Sequence, residues 1–176
     1  MKKGFTHESA YNESVEWYTP KYIFDALGVE FDLDPCSPGK EIVPWIPAKK
    51  HLTFEDNGLM AKWEGTVWMN PPYGKETADW FGRLSMHGNG IALLFCRPDT
   101  KWFHRYVKQA DAICLIKGRI PFVHKKNAKE YAAGTYKSNG RCGAASMLIA
   151  YGEDMARALF DSDLGMTLQI TQTERR

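Results

Sequence analysis

Four consecutive residues, Asn70-Pro71-Pro72-Tyr73, concentrate more chemistry than any other part of the chain. They follow the apolar, β-branched and aromatic run at 65–70 (GTVWMN), which reads as a central strand. The carboxyl ends of strands are where open α/β sheets bind ligands. Neither proline can donate to a ladder, so the segment must be a tight, stiff turn. Such a turn can aim two acceptors at one amino group: the side-chain oxygen of Asn70 and the backbone carbonyl of Pro71. An exocyclic amine on an aromatic ring is a poor nucleophile, because its lone pair is delocalised. Acceptors on both of its hydrogens hold it and favour pyramidal geometry as it attacks. Tyr73 offers a face on which a base can stack, worth about 1–3 kcal/mol in single-strand binders. The pattern suits methyl transfer to a planar amino group. That reaction needs no general base beforehand and has a neutral thioether as leaving group, so positioning does most of the work. The same residues also make an ordinary Pro-Pro turn; the strand before it and the helix after it favour the chemical reading.

The surrounding elements alternate between strands and helices. Thr19, Pro20 and Gly28 read as N-cap, first helical residue and C-cap of a helix whose Ile23, Phe24 and Leu27 share a face. A strand is expected over 29–35, irregular chain over 38–50 with Pro38, Pro44 and Pro47, and a short strand over 51–54. After the turn come a helix over about 77–86 that stops at Gly88, and a doubly covered apolar strand at 91–96. Asp99 or Thr100 caps a further helix with Trp102, Phe103, Tyr106, Val107 and Ala110 on one face. Strands at 112–117 and 145–151, a helix at 153–161 and a closing strand at 164–170 complete an α/β pattern with a largely parallel sheet.

Composition sets outer bounds. The 176 residues are 44% hydrophobic and 25% charged, as in an ordinary folded domain rather than a disordered chain. The longest apolar run, at 91–96, is far too short to span a membrane, and the opening residues have no apolar signal region. Cys36, Cys96, Cys114 and Cys142 are widely spaced, which argues against zinc and for a reduced, cytoplasmic protein. His7, His51, His87, His104 and His124 show no ligand spacing, so no metal is assigned. Residues 1–15 read as a flexible arm and 16–176 as a single catalytic domain.

The net charge of +2 hides an uneven distribution. Residues 117–141 carry seven basic side chains, at Lys117, Arg119, Lys125, Lys126, Lys129, Lys137 and Arg141, against Glu130 alone; the rest of the chain is net −4. Tyr131, Tyr136, Ser138 and Asn139 are interleaved with these charges. The stretch reads as a basic loop insertion at about 117–142. A solvated loop is the plain alternative, but a cluster of this kind is what phosphate neutralisation requires. Arg97 and Asp99 follow a buried strand at its carboxyl end, where they either pair with each other or contact substrate.

Several ordered segments carry a resemblance. Trp17-Tyr18-Thr19-Pro20 before a helix, Asp34-Pro35-Cys36-Ser37 after a strand, Thr53-Phe54-Glu55-Asp56-Asn57-Gly58-Leu59, Asn70-Pro71-Pro72-Tyr73 and the run at 97–104 (RPDTKWFH) together resemble the phage-type DNA N-6-adenine-methyltransferase family, over roughly residues 16–150. The resemblance implies a Rossmann-like class I methyltransferase fold, a mostly parallel, doubly wound sheet with helices on both faces. It implies S-adenosylmethionine as cofactor, with Trp17, Tyr18, Thr19 and Pro20 at its methionine part. Asp34, Pro35 and Cys36 would line the same pocket, Glu55 and Asp56 the adenosine end, and Asn70 would border both ligands. Asn70, Pro71, Pro72 and Tyr73 would hold a flipped adenine, with Arg97, Arg119, Lys125, Lys126, Lys129, Lys137 and Arg141 on DNA. The loop DPCSPGK departs from the glycine-spaced pattern of many such enzymes. The carboxylate that holds the cofactor ribose has three candidates, Glu41, Glu55 and Asp56. A bacterial cytoplasm in a phage or prophage setting is implied. Oligomeric state, recognition sequence and biological role stay open. The alternatives are transfer to cytosine N4, RNA or a protein amide, or a non-catalytic nucleic-acid-binding module.

Overall fold

The computed structural model describes residues 16–136 and 143–171. Its elements are β1 (Trp17–Tyr18), α1 (Lys21–Leu27), β2 (Phe31–Asp34), β3 (Ala48–His51), β4 (Val67–Met69), α2 (Thr77–His87), β5 (Gly90–Phe95), α3 (Lys101–Tyr106), β6 (Ala112–Ile116), β7 (Val123–His124), α4 (Ala128–Ala132), β8 (Ser146–Tyr151), α5 (Glu153–Asp161) and β9 (Gly165–Gln169). Seven strands form one sheet in the order β3-β2-β4-β5-β8-β6-β9; β1 and β7 form a separate two-stranded ribbon.

Alternation along the strands sorts the core into two layers. Val67, Met69, Ala92, Leu94, Met147 and Ile149 face α2, whose Trp80, Phe81 and Leu84 cover them. Trp68, Ile91, Leu93, Leu148 and Ala150 face the opposite way, against Ile23 and Phe24 of α1 and Met155 and Leu159 of α5. Helices thus cover both faces, as a chain with continuous apolar strands requires. The sheet is mixed. β3, β2, β4 and β5 pair in parallel, whereas β8 and β9 run antiparallel to their neighbours.

Some local expectations shift. Thr19 is not the N-cap of α1; Pro20 takes that position in extended geometry, and the helix begins at Lys21. A residue before proline is held out of the helical region, which keeps Thr19 in the approach segment. Gly28 does close α1 in left-handed geometry, with φ +62°. The short strand expected at 51–54 lies at 48–51, inside the stretch read as irregular. Its Lys49 and Lys50 conceal it, because an edge strand exposes polar side chains. Residues 54–56 form a 3₁₀ turn instead, closed by a reciprocal Thr53–Asp56 capping box. Gly58 lies against the loop after β2, and an added Cβ there would collide with the Pro35 carbonyl. The basic loop expected at about 117–142 contains β7, a 3₁₀ turn at 125–127 and α4. The arm at 1–15, and Lys137 and Arg141, lie outside the described residues.

Candidate active site

β2 and β4 are parallel neighbours, with Leu33 opposite Val67. Their carboxyl ends therefore emerge side by side, and so do the segments that follow them. After β4 the chain makes the Asn70–Tyr73 turn and enters α2. Thr77, in the first turn of α2, fixes the exit: its hydroxyl donates to the Pro72 carbonyl (3.1 Å) and accepts from the Gly74 N–H (2.9 Å). Pro71 is buried, and Pro72 and Tyr73 are exposed. The Asn70 side-chain N–H donates to the Trp17 carbonyl at 3.3 Å, which fixes the amide flip. Its oxygen accepts a long bond of 3.4 Å from the Tyr73 hydroxyl. A carbonyl oxygen has two lone pairs, so acceptor capacity remains. The Tyr73 ring stacks on Phe95, with centroids 4.1 Å apart and planes 12° apart.

The loop after β2 forms the adjoining wall. Asp34 is 3% exposed, and its carboxylate accepts from the Cys36 N–H at 3.2 Å and from the Cys36 thiol. Burial pushes the Asp34 pKa up to about 7 despite those bonds. Burial and the Asp34 carboxylate push the Cys36 thiol up in turn. His51 does not neutralise Asp34. Its Nδ1 lies 4.0 Å from the carboxylate and pairs with the Ser37 hydroxyl at 2.8 Å, and its Nε2 bonds the Ala48 carbonyl at 3.1 Å. A carbonyl only accepts, so Nε2 carries the proton and Nδ1 accepts from Ser37. Burial and nearby Lys40 lower the His51 pKa, which agrees with a neutral ring.

A third segment closes over these two. Thr19 is fully buried, and its hydroxyl has no hydrogen-bond partner among the described residues. Its carbonyl accepts from the Trp45 indole at 2.8 Å. Trp17 and Tyr18 pair with His124 and Val123, and the Trp17 ring meets His124 edge-on at 4.7 Å. Glu16 takes bonds from the Tyr18 hydroxyl (2.6 Å) and the Lys125 ammonium (3.1 Å). Burial raises the Glu16 pKa, but these two donors outweigh it and hold the carboxylate below its usual range. The Tyr131 hydroxyl accepts the Lys21 backbone N–H at 2.9 Å, and its ring meets Trp45.

The structure thus brings the Trp17 carbonyl to Asn70 and sets the loop of Asp34, Pro35 and Cys36 beside the Asn70 turn, with Tyr18, Thr19 and Pro20 in the segment that continues from Trp17. The three carboxylates considered for the ribose make no hydrogen bond to these residues. Glu41 and Glu55 are exposed, and Asp56 is engaged by the Thr53 N–H (2.7 Å) and hydroxyl (2.9 Å). Arg97 and Arg119 are exposed just beyond β5 and β6, which point the same way as β4, and no ion pair joins Arg97 to Asp99. Lys126 and Lys129 are exposed beside β7, and the Lys125 ammonium pairs with Glu16. Sequence reading misses Phe95, Trp45 and Tyr131 as parts of the site. Phe95 stands in the sequence only near the end of an apolar run, and the other two reach the site through long-range contacts. Among the described residues, no group of His, Cys, Asp and Glu could hold a metal, and no helix is long and apolar enough to cross a membrane.

One family model, described as DNA N-6-adenine-methyltransferase (Dam), matches residues 8–148. No curated protein and no solved structure matches the chain.

The buried Asp34 gives stability a defined pH dependence. The folded chain holds the Asp34 proton more tightly than the unfolded chain, whose carboxyl has the ordinary pKa near 3.8. Its contribution is complete below about pH 4 and is lost as pH rises through about 7. The Asp34→Asn variant lacks this loss, so its thermal midpoint should gain on the wild type between pH 5 and pH 8. A constant difference across that range would contradict the assignment.

Proposed function

The chain belongs to the DNA N-6-adenine-methyltransferase (Dam) family, and we propose that Asn70, Pro71, Pro72 and Tyr73 are its catalytic turn, with S-adenosylmethionine as methyl donor and a flipped adenine as acceptor. The observation that carries this reading is the Asn70 amide. Its N–H is engaged by the Trp17 carbonyl, so the oxygen is the group presented to a substrate amine. A carbonyl of the same turn, that of Pro71, supplies the second acceptor. Two acceptors on one amine suit an attack by a neutral nucleophile. The sheet, with its parallel half carrying the site, is read as a Rossmann-like class I variant.

The neighbouring wall fits the cofactor. Thr19 offers a buried hydroxyl with unused capacity, and Asp34 a buried carboxyl that no cation among the described residues compensates. A cationic ligand bearing polar groups satisfies both. Thr19 and its neighbours Trp17, Tyr18 and Pro20, with Asp34, Pro35 and Cys36, are the residues proposed to hold it. When bound, the cofactor supplies an electrophilic methyl group on a sulfonium. Glu55 and Asp56, on the segment that Gly58 packs against the Pro35 carbonyl, are proposed for the adenosine end, where both bonds from Thr53 fall on one Asp56 oxygen and leave the other for the ribose.

A base inside a duplex cannot reach Asn70. Extrusion costs a few kcal/mol, offset by stacking on Tyr73, worth about 1–3 kcal/mol, and by phosphate contacts. Arg97, Arg119, Lys126 and Lys129 stand on the sheet's carboxyl-end side and are proposed to supply those contacts. Lys125 joins them if phosphate displaces Glu16. Lys137 and Arg141 are carried by charge alone.

Asn70→Ala and Tyr73→Ala should each fold, and Tyr73→Ala should bind S-adenosylmethionine by calorimetry with near wild-type affinity, yet both should transfer methyl groups to DNA on the order of 10²–10³-fold more slowly. Wild-type rates in either variant would remove the turn from the mechanism. Replacing Lys126 and Lys129 with Gln should weaken DNA binding and flatten the plot of log affinity against log salt by about 0.9 for each phosphate no longer neutralised. An unchanged slope would clear these lysines of any role on the DNA backbone.

A further inference from the structure

Phe95 is the last residue of β5, and its backbone is held on the β8 side opposite Ser146. It is half-buried and packs against the core layer of α1 and α5. The frame that fixes it is therefore the sheet itself. Tyr73, in contrast, sits in a turn followed by Gly74 at φ +148°, with its hydroxyl on the Asn70 oxygen at 3.4 Å and its ring face on Phe95. The two rings lie nearly parallel at 4.1 Å, while 42% of Tyr73 remains exposed.

An exocyclic amino group lies in the plane of its base. If the base stacks on Tyr73, the tilt of that ring decides whether the amine meets the Asn70 oxygen and the Pro71 carbonyl together. A misplacement of about 1 Å is enough to lower a rate roughly a hundredfold. Resting on the amino-methyltransferase reading above, we propose that Phe95 is a positioning residue: it transmits the orientation of β5 to the Tyr73 ring and so sets the plane in which the target base is presented. Phe95 itself touches no reacting atom. The opposite arrangement, in which Phe95 fills the slot meant for the base, makes the contrary prediction that its removal accelerates the reaction.

The test compares the wild type, Phe95→Leu and Phe95→Tyr in labelled methyl transfer to random-sequence duplex DNA, alongside thermal midpoints and calorimetry with S-adenosylmethionine. Phe95→Leu keeps apolar volume but loses the stack. Its kcat should fall at least tenfold while KM for the cofactor, cofactor affinity and thermal midpoint stay close to wild type; Phe95→Tyr should recover most of that loss. Activity of Phe95→Leu within twofold of wild type, or above it, would overturn the proposal. So would a loss that follows cofactor affinity or thermal midpoint, or one that Phe95→Tyr does not restore. Active wild-type enzyme with any of these results isolates the failure to Phe95, whereas an inactive wild type would overturn the underlying reading as well.

Discussion

Parallel pairing of β2 with β4 is the constraint on which the site depends. Parallel neighbours end on the same side of a sheet, so the segments that follow them must share space whatever their sequences. Here those segments are Asp34-Pro35-Cys36 and Asn70-Pro71-Pro72-Tyr73, side by side beyond the Leu33–Val67 pair. Gly58 lets the chain beyond β3 press against the same loop, where any side chain would strike the Pro35 carbonyl. That the loop proposed for the methyl donor and the turn proposed for the acceptor lie side by side follows from strand direction alone.

The segment leading into α1 completes the arrangement. It brings the Trp17 carbonyl to the Asn70 amide and leaves Thr19 buried with its hydroxyl unused among the described residues. The pairing of β1 with β7 holds it there, and the same ribbon carries Lys125 and Lys126. Basic residues are thereby connected to the Asn70–Tyr73 turn through two strands and one hydrogen bond. The electrostatics follow a simple division. Asp34 is buried without a cation and holds a proton up to about pH 7, whereas Glu16, which has two donors, is held ionised.

Local signals in the chain are enough to reveal the turn, α2 with its Gly88 stop, the Thr100 cap of α3 and the apolar strands β5, β6 and β8. Each of these rests on periodicity or on a capping residue within a few positions. What stays hidden depends on pairing across the sequence. β1 and β7 are two residues each and exist only through one another. β3 reads as polar because it is an edge. The short pieces at 123–132 lack an apolar period long enough to detect. The acidic segment at 55–56 resembles a ligand site, and the Thr53–Asp56 bond within it is one that the S/T-x-x-D pattern also encodes. Phe95 reads as part of a covered strand, because stacking on Tyr73 is a tertiary contact that no local pattern announces.

The central claim is that this site moves a methyl group from S-adenosylmethionine to the amino group of adenine in DNA. Incubating the protein with labelled cofactor and random-sequence duplex DNA, digesting the DNA and resolving the nucleosides by mass tests it most directly. The account predicts the label in N6-methyladenosine of the deoxy series and in no other nucleoside. Label on cytosine, or cofactor binding with no label in any base, would contradict it.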